Sequence, residues 1–430
     1  MQNKLFGTDG IRGIWKDTIS PELAFLIGKA ASKVFERKDE KNIIVIGKDT
    51  RLSCDSLVSA ISSGLTACGI DVVFLGVVPT ALVPFAIKQH KAVAGIMITA
   101  SHNPAEHNGI KFFNGNGYKI SEEQERKIEY ILNFENEINS YNKLGKIEIN
   151  TKSIENYIKN IKKLTKNAKK IKICFDVANG CATEIVKKAF NNFDITLINN
   201  NPDGLNTNLN CGANHVEVLS QFMKNKDFDI GFSFDGDADR VNVCLKNGEI
   251  ISSEEIIYFL TKYYSKKQVV LTVMANSALA DILIKEGVDV KIGDVGEKPV
   301  LTGLLENNFT LGCENNGHYI LLDENTTSDG IISAAKIINI FDEIIMQRGK
   351  YKPYYQTLTN VPVNNKNEVM QSEVLKNKIE LCESLILETG RILVRPSGTE
   401  SVVRVLVECE NKSLASEISL QLVQTIKQID

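Results

Sequence analysis

The chain has 430 residues, too long for one ordinary hydrophobic core, so we expect three or four domains. Its 50 basic and 53 acidic side chains leave a formal net charge of −3, which argues against a polyanion-binding surface and against nucleic acid as a partner. It has no apolar stretch of membrane-spanning length, and its nine cysteines are scattered singly. We therefore expect a cytoplasmic protein without membrane contact, disulfide framework or thiolate zinc site.

Three successive parts of the chain repeat one pattern: an apolar strand, a helix with apolar residues on one face, and a second apolar strand. These repeats cover residues 43–75, 171–198 and 269–292. Each pattern is typical of a βαβ unit. Each of these parts is therefore expected to hold a mixed or mainly parallel sheet covered by helices.

The last part of the chain differs, because strands at 391–394 and 402–407 flank a short glycine-containing loop before a helix at 414–426. This order predicts a smaller α+β domain. Polar connections rich in Asn and Lys, near residues 134–170 and 345–356, indicate boundaries. We predict an α/β protein with three related α/β domains that contain mixed sheets, and a smaller C-terminal α+β domain. The predicted domains are residues 1–150, 151–248, 249–352 and 353–430.

Ser101 lies in the first of four loops with chemical potential, TASHNPAEHNGIKFF at residues 99–113, directly after an apolar strand. A serine at the carboxyl end of a strand is placed to project into a cleft, and the alternative is a hydroxyl that only caps the Asn-Pro turn that follows. Acyl transfer is poorly supported, because no Gly-x-Ser-x-Gly elbow surrounds the residue. A phosphorylated serine instead needs cationic groups and a metal, and His102 and Lys111 follow closely. Lys111 offers both charge and a transferable proton.

The second loop, FDGDADR at residues 234–240, carries aspartates at alternate positions. In an extended segment alternate side chains point to the same side, so three carboxylates would converge on one hard cation such as Mg²⁺. These residues are Asp235, Asp237 and Asp239. A calcium EF-hand is excluded, because Arg240 and Lys246 stand where that motif needs Gly and Glu. A solvated acidic turn remains the alternative.

The third loop, GCENNGHYILL at residues 312–322, places Glu314 and His318 on either side of an Asn316-Gly317 turn. A plain β-hairpin explains this pattern as well as a site does. As a site, the Glu314 carboxylate would accept hydrogen bonds from the hydroxyl groups of a sugar.

The fourth loop, RPSGTESVVR at residues 395–404, sets two arginines around hydroxyl groups and a glycine. Guanidinium groups bind phosphate through paired hydrogen bonds, and glycine allows a close approach of the backbone. A polar hairpin turn is the alternative reading. The chain contains no Walker motif, so hydrolysis of nucleoside triphosphates is not expected.

In this order, the four loops resemble those of the α-D-phosphohexomutase family, and the resemblance covers essentially the whole chain. That family has a phosphoserine loop, a D-G-D-x-D-R metal loop, a sugar loop and a phosphate loop. The resemblance implies a mutase that moves a phosphoryl group through a phosphorylated serine and a bisphosphate intermediate that turns around in the site.

The resemblance also implies a role for each residue that matches the family's motifs. Ser101 would be the phosphoserine, and it would share one Mg²⁺ per active site with Asp235, Asp237 and Asp239. The implied catalytic residues are Ser101, Lys111, Arg240 and His102. The implied substrate-binding residues are Arg12, Glu314, Asn316, His318, Arg395, Ser397, Gly398, Thr399 and Arg404.

Four further segments resemble the bacterial branch of the family that acts on glucosamine phosphates. They are FGTDGIRG (6–13), NGIKFF (108–113), GLNTN (204–208) and LLDENTTSDG (321–330). This branch implies interconversion of glucosamine 6-phosphate and glucosamine 1-phosphate, with glucosamine or glucose 1,6-bisphosphate as the activator. The partner would be a small hexosamine phosphate, and the protein a monomer or homodimer.

Some positions depart from the family pattern: Asn316 replaces serine, Ser401 replaces proline, and GDVGEKPV at 293–300 differs from the expected G-D-R-Y-V run. Three alternatives therefore stay open. One is a phosphomannomutase or phosphoglucomutase of the same family. The others are a non-catalytic sugar-phosphate binding protein and a phosphatase that uses Asp235.

Overall fold

The computed structural model describes residues 4–7, 9–38, 41–134, 144–265, 267–386, 389–397 and 401–430. The chain forms two compact units, which are Met1–Val273 with Lys291–Glu343, and Met274–Val290 with Ile344–Asp430. Among the described residues, no helix combines the length and the apolar character needed to cross a membrane.

The first sheet has the order β1–β2–β6–β5–β3–β4–β7 and mixes parallel and antiparallel pairs. Its strands are Phe6–Gly7 (β1), Gly10–Ile14 (β2), Ile43–Lys48 (β3), Asp71–Val77 (β4), Ala94–Ile98 (β5), His107–Asn114 (β6) and Ile147–Ile149 (β7). The helices of this part are Pro21–Phe35 (α1), Cys54–Ala67 (α2), Leu82–His90 (α3) and Glu122–Phe134 (α4).

Glycines allow α1 and α2 to pack closely against each other. A Cβ added at Gly28 on α1 would lie 2.4 Å from the Ile61 carbonyl oxygen on α2, and one at Gly64 on α2 would lie 2.2 Å from that of Phe25 on α1. Ser20 caps the N-terminus of α1, where its hydroxyl accepts from the Leu23 amide.

The second sheet has the order β12–β11–β10–β8–β9. Its strands are Lys172–Asp176 (β8), Asp194–Ile198 (β9), Ile230–Phe234 (β10), Val241–Leu245 (β11) and Glu249–Ile251 (β12), and its helices are Lys152–Leu164 (α5), Ala182–Ala189 (α6) and Val216–Met223 (α7). Strands β8, β9 and β10 pair in parallel, whereas β10 and β11 form an antiparallel hairpin around the predicted metal loop.

The third sheet has the order β14–β13–β15–β16. Its strands are Gln268–Thr272 (β13), Asp289–Gly293 (β14), Leu311–Glu314 (β15) and His318–Leu321 (β16), and the helices of this region are Ser253–Tyr264 (α8), Ser277–Lys285 (α9), Glu297–Asn307 (α10) and Gly330–Asn339 (α11). The predicted sugar loop is the hairpin between β15 and β16, in which Glu314 and His318 are paired across the strands.

The fourth sheet is antiparallel, with the order β17–β19–β18. Its strands are Tyr355–Pro362 (β17), Gly390–Pro396 (β18) and Val402–Cys409 (β19), and the helices of this part are Phe341–Gln347 (α12), Lys366–Gln371 (α13), Glu373–Leu385 (α14) and Lys412–Ile429 (α15). The apolar faces of β19, α14 and α15 form one core cluster. This is the α+β part that the sequence predicts.

The prediction of a polar connection at 134–170 is wrong within the described residues, because β7 and α5 lie there. Strand β7 pairs with β4, and α5 buries Tyr157 and Ile161 at helical spacing. Lys and Asn on the other faces of α5 concealed this amphipathic pattern in the sequence.

Candidate active site

Ser101 lies just beyond the end of β5 and is buried. Its φ of 53° lies in the left-handed region, which costs a residue with a side chain about 1–2 kcal/mol. The Ser101 amide donates to Thr99 Oγ1 at 2.8 Å, and the Ser101 hydroxyl donates to Asp235 Oδ2 at 2.9 Å. The predicted nucleophile therefore contacts the predicted metal loop directly.

The turn between β10 and β11 brings the three predicted metal ligands together. Asp235, Asp237 and Asp239 each offer a carboxylate oxygen, and these oxygens all lie within 4.8 Å of one another. All three side chains are buried. The prediction of an extended segment is wrong, because the chain turns here and Ala238 has a φ of 56°. The carboxylates converge because the backbone folds back, and not because alternate side chains share one face of a strand.

The donor set of this loop fits a hard divalent cation. Asp237 Oδ2 accepts from Thr80 Oγ1 at 2.6 Å, whereas Asp237 Oδ1 is buried and has no hydrogen-bond partner in the part of the chain that the structure describes. Burial and the charges of Asp239 and Asp237 raise the pKa of Asp235 well above its ordinary value. An orphaned buried oxygen and mutual repulsion are both relieved when oxygen-only ligands bind Mg²⁺. Asp235, Asp237 and Asp239 are therefore the residues that would hold the ion.

Lys111, on β6, is buried against the same loop. Its Nζ donates to Asp237 Oδ2 at 2.8 Å and to Asp239 Oδ2 at 2.7 Å. Burial alone would lower the pKa of Lys111, but the surrounding carboxylates raise it well above its ordinary value. Lys111 thus provides a fixed positive charge beside the metal loop, and its predicted role in proton transfer stays a prediction.

His318 connects the sugar loop to the metal loop. Its Nδ1 lies 3.0 Å from Glu314 Oε2, and its Nε2 lies 2.9 Å from Asp239 Oδ1. Burial would lower the pKa of His318, but these two carboxylates raise it to about 9, so the ring is an imidazolium at pH 7. Arg240 Nε lies 3.2 Å from the same Nε2. In that charge state both nitrogens carry hydrogen, so this contact is between two cations and is not a hydrogen bond.

His102 lies beside the nucleophile, with its Nδ1 3.2 Å from Ser101 Oγ. Burial, with the charges of Arg240 and Arg12, lowers the pKa of His102 to about 4, so the ring is neutral at pH 7. The two histidines of the site therefore differ in charge, because His318 faces carboxylates and His102 faces guanidinium groups.

A cleft of about 830 Å³ opens above these residues. Among the described residues, five of the predicted site residues line it, whereas Ser101, Lys111 and Asn316 do not. The five are Arg12, His102, Arg240, Glu314 and His318. The cleft therefore presents cations beside the nucleophile and a carboxylate on the sugar loop, which suits a phosphorylated sugar.

Sequence reasoning missed an ion-pair chain along the cleft wall. The Lys119 ammonium contacts carboxylates of both Asp9 and Glu297, and Asp9 also contacts Arg12 and lies 3.3 Å from Lys111 Nζ. Two sequence signals pointed here. FGTDGIRG contains Asp9 but was interpreted as a mark of one branch of the family, and the segment at 293–300 contains Glu297 but was interpreted only as a departure from the family pattern.

Glu297 is the buried residue at one end of this series of ion pairs. Its Oε1 accepts from Thr327 Oγ1 at 2.7 Å and from the Ser328 amide and hydroxyl at 3.0 Å each. Burial would raise the pKa of Glu297, but Lys119 lowers it to about 2. Through Glu297, these contacts connect α10 with the residues just before α11 and with Lys119.

Glu297→Gln is expected to destabilise the protein by about 1–3 kcal/mol, because Lys119 loses one of its two buried carboxylates while the amide oxygen can still accept from Thr327. The measurement is the thermal unfolding midpoint. Glu125→Gln is the matched control, since the Glu125–Lys298 pair at 3.3 Å is partly exposed and its loss should cost less than about 0.5 kcal/mol. Equal midpoints for the two variants would contradict a structural role for the chain.

The predicted phosphate loop belongs to the other compact unit. Arg395 and Arg404 are directly paired across β18 and β19, so they share one face of the sheet. Like charges opposite each other destabilise a sheet, and a bound anion relieves this repulsion. The Ser397 carbonyl accepts from Lys366 Nζ at 2.7 Å, which adds another cation near the loop. Gly398 and Thr399 lie outside the described residues.

Comparison with known proteins shows which family the chain belongs to. The family described as phosphoglucomutase/phosphomannomutase matches four successive segments: alpha/beta/alpha domain I at 3–139, domain II at 155–248, domain III at 252–359 and the C-terminal domain at 358–424. A phosphoglucosamine mutase of Carboxydothermus hydrogenoformans is 37% identical, over 99% of this chain and 100% of the relative. The chain belongs to the phosphoglucomutase/phosphomannomutase family.

Two further proteins are similar to this chain over nearly its full length. A phosphoglucosamine mutase of Alkaliphilus oremlandii is 39% identical over 99% of each chain. A solved structure of a family protein from Burkholderia thailandensis has a TM-score of 0.82 at 23% identity, over 99% of this chain and 97% of that one. The resemblance and the fold class predicted from the sequence are confirmed. The predicted domain borders and the roles of single residues stay predictions.

Proposed function

We propose that this member of the family interconverts glucosamine 6-phosphate and glucosamine 1-phosphate through a phosphorylated Ser101. The observation that carries the proposal is the 2.9 Å hydrogen bond between Ser101 Oγ and Asp235, within a cluster of metal-binding carboxylates. A sugar-phosphate binding protein has no need of a nucleophile and a metal loop in contact. The names of the full-length relatives support the amino sugar as substrate.

The reaction consists of two phosphoryl transfers that balance. In the first, the P–O bond to Ser101 breaks, a P–O bond forms to a sugar hydroxyl, and the proton of that hydroxyl passes to the Ser101 oxygen. In the second, the other phosphoryl group of the bisphosphate returns to Ser101, and the serine proton passes to the sugar oxygen left behind. Lys111 is the predicted proton carrier, and His102 is a further predicted catalytic residue. Arg240 and Lys111 would stabilise charge on the transferring group.

Mg²⁺, when bound by Asp235, Asp237 and Asp239, would neutralise charge on the phosphoryl oxygens. We also propose glucosamine or glucose 1,6-bisphosphate as the activator, because a dephosphorylated Ser101 needs a phosphoryl donor. A monomeric or homodimeric state and a cytoplasmic location stay predictions. Arg395, Ser397, Gly398, Thr399 and Arg404 would hold the phosphate that does not react.

We expect kcat/KM for glucosamine phosphate to exceed that for glucose and mannose phosphates by at least about tenfold. The amino sugar carries an ammonium at C2, and a charge-assisted hydrogen bond to a carboxylate such as Glu314 is worth ~1.5–3 kcal/mol, or roughly ten- to a hundredfold. The measurement is a panel of hexose and hexosamine phosphates assayed under identical conditions.

Two variants test the carboxylate. Glu314→Gln should reduce this preference more than Asn316→Ser does, because Glu314 lines the cleft and carries the charge. Asn316 Oδ1 is buried and accepts from no donor among the described residues, but Asn316 carries no full charge and does not line the cleft, so its replacement should matter less. Equal or faster turnover of mannose 1-phosphate would place the protein with the phosphomannomutases instead, and the phosphoserine mechanism would survive that result.

A further inference from the structure

Two side chains outside the predicted site hold the nucleophile loop by the same two backbone oxygens. Arg51 and Asn208 both donate to the carbonyl oxygens of Ser101 and Asn103. We propose that these two residues, here called the carbonyl clamp, are positioning residues that keep Ser101 in the geometry needed for phosphoryl transfer. The proposal rests on the mutase function and adds to it two residues that act through Ser101.

Arg51 is the part of the clamp that comes from the first sheet. It follows β3, is 1% exposed, and pairs its Nε with Asp49 Oδ2 at 2.9 Å. One terminal nitrogen donates to Ser101 O at 2.9 Å and to Asn103 O at 2.7 Å, and the other donates to His107 O at 3.1 Å. Only a guanidinium group offers enough donors in one plane to hold several carbonyls of a turn at once.

Asn208 is the part of the clamp that comes from the second sheet. Its Nδ2 donates to Ser101 O at 2.8 Å and to Asn103 O at 3.1 Å, while its backbone amide donates to Ala178 O. The residue belongs to GLNTN, one of the segments that resemble the branch of the family that acts on glucosamine phosphates. Its own φ of 61° is left-handed, a conformation that asparagine tolerates better than most residues.

The clamp also touches the metal loop. A Cβ added at Gly236, between two of the metal-binding aspartates, would lie 2.9 Å from Ser101 O and 3.0 Å from Asn208 Nδ2. The nucleophile loop, the clamp and the metal loop are therefore in van der Waals contact. A shift of Ser101 would alter the distance between its oxygen and the metal-binding carboxylates.

Ser101 needs such support because its backbone is in the left-handed region, which serine adopts less readily than glycine or asparagine. Backbone strain of this kind persists only where the surroundings hold it. The geometry of the reacting atoms then depends on the clamp, and misplacement by about 1 Å can cost roughly a hundredfold in rate. Neither Arg51 nor Asn208 is among the described residues that line the cleft, so their effect on substrate binding should be small.

Asn208→Gly is the decisive variant, because glycine keeps the left-handed backbone accessible and removes only the amide. We expect kcat to fall about tenfold to a hundredfold while KM for the sugar phosphate stays within about twofold. Asn210→Gly is the matched control: Asn210 lies in the same loop with a φ of 50° and is exposed. Its kcat should stay within about twofold of wild type. Asn208→Asp keeps the volume of the side chain but replaces the donor with an acceptor, so its kcat should fall as much as that of Asn208→Gly.

The rate of hydrogen–deuterium exchange in the peptide that contains residues 99–108 tests the clamp without requiring catalytic turnover. Exchange should be faster in Asn208→Gly than in wild type and unchanged in Asn210→Gly. The clamp is overturned if Asn208→Gly keeps wild-type kcat and exchange, or if both glycine variants lose activity equally. Absence of mutase turnover in the wild type would overturn the proposed function alone, because the exchange result stands independently of it.

Discussion

Ser101→Ala is expected to lower mutase turnover by ~10³-fold or more and to remove the mass of one phosphoryl group from the purified protein. The covalent route needs an oxygen at this position, and loss of a nucleophile costs far more than loss of a binding contact. The measurements are steady-state turnover of glucosamine 6-phosphate and intact mass before and after treatment with a hexose bisphosphate.

The control for this prediction concerns the backbone. Serine and alanine are strained alike at a φ of 53°, so Ser101→Ala should leave folding largely unchanged. Ser101→Gly removes the same oxygen without that strain, and it should be equally inactive with an unfolding midpoint close to that of wild type. Retention of more than about a tenth of wild-type turnover by either variant would exclude an obligatory phosphoserine.

Alanine at Asp235, Asp237 or Asp239 should abolish activity together with its dependence on Mg²⁺, and the isosteric Asp237→Asn should lower turnover by about a hundredfold or more. Asp237 is the most informative position, because nothing among the described residues donates to its buried Oδ1, which a bound ion would satisfy. The measurements are turnover across an Mg²⁺ titration after chelator treatment and binding of Mg²⁺ or Mn²⁺ by calorimetry.

A measurement of thermal stability distinguishes loss of the metal site from loss of the fold as the cause of inactivity. Asp237→Asn has two opposite effects on the metal-free protein, because it relieves repulsion that contributes to the raised pKa of Asp235 but weakens the buried pair with Lys111, so the unfolding midpoint should show a protein that is still folded. Asp227→Asn serves as the control, since Asp227 is exposed and pairs with Lys172 at the surface. Full activity of chelator-treated protein without added metal would refute the assignment of the loop.

The repeated strands and helices were predictable because their signals are local. Apolar runs such as those of β3 and β10 are buried on both faces, and the observed bounds differ from the predicted ones by only a few residues. Helix α5 was missed because its buried Tyr157 and Ile161 are sparse among lysines and asparagines. Composition alone marked that segment as a connection, whereas packing made it a helix.

The site was predictable where several functional groups share one loop. The sequence by itself singled out Ser101, the three aspartates and the pair Glu314 and His318 as candidates, since residue types and spacing within a few positions indicate chemistry, and their roles stay predictions. It also determined that the chain is an α/β protein with a smaller C-terminal part.

Only the tertiary structure decided how these loops meet. The contact of Ser101 with Asp235 joins residues 134 positions apart, and the Asn208 contact with Ser101 spans 107 positions. The charge of His318 likewise depends on Asp239, which approaches it only in the fold. Hydrogen bonds and charge interactions act over a few ångströms of space, and no local pattern records which distant segments come that close. The contacts of Arg51 and Asn208, the residues of the proposed clamp, with the Ser101 loop therefore had no signal in the sequence.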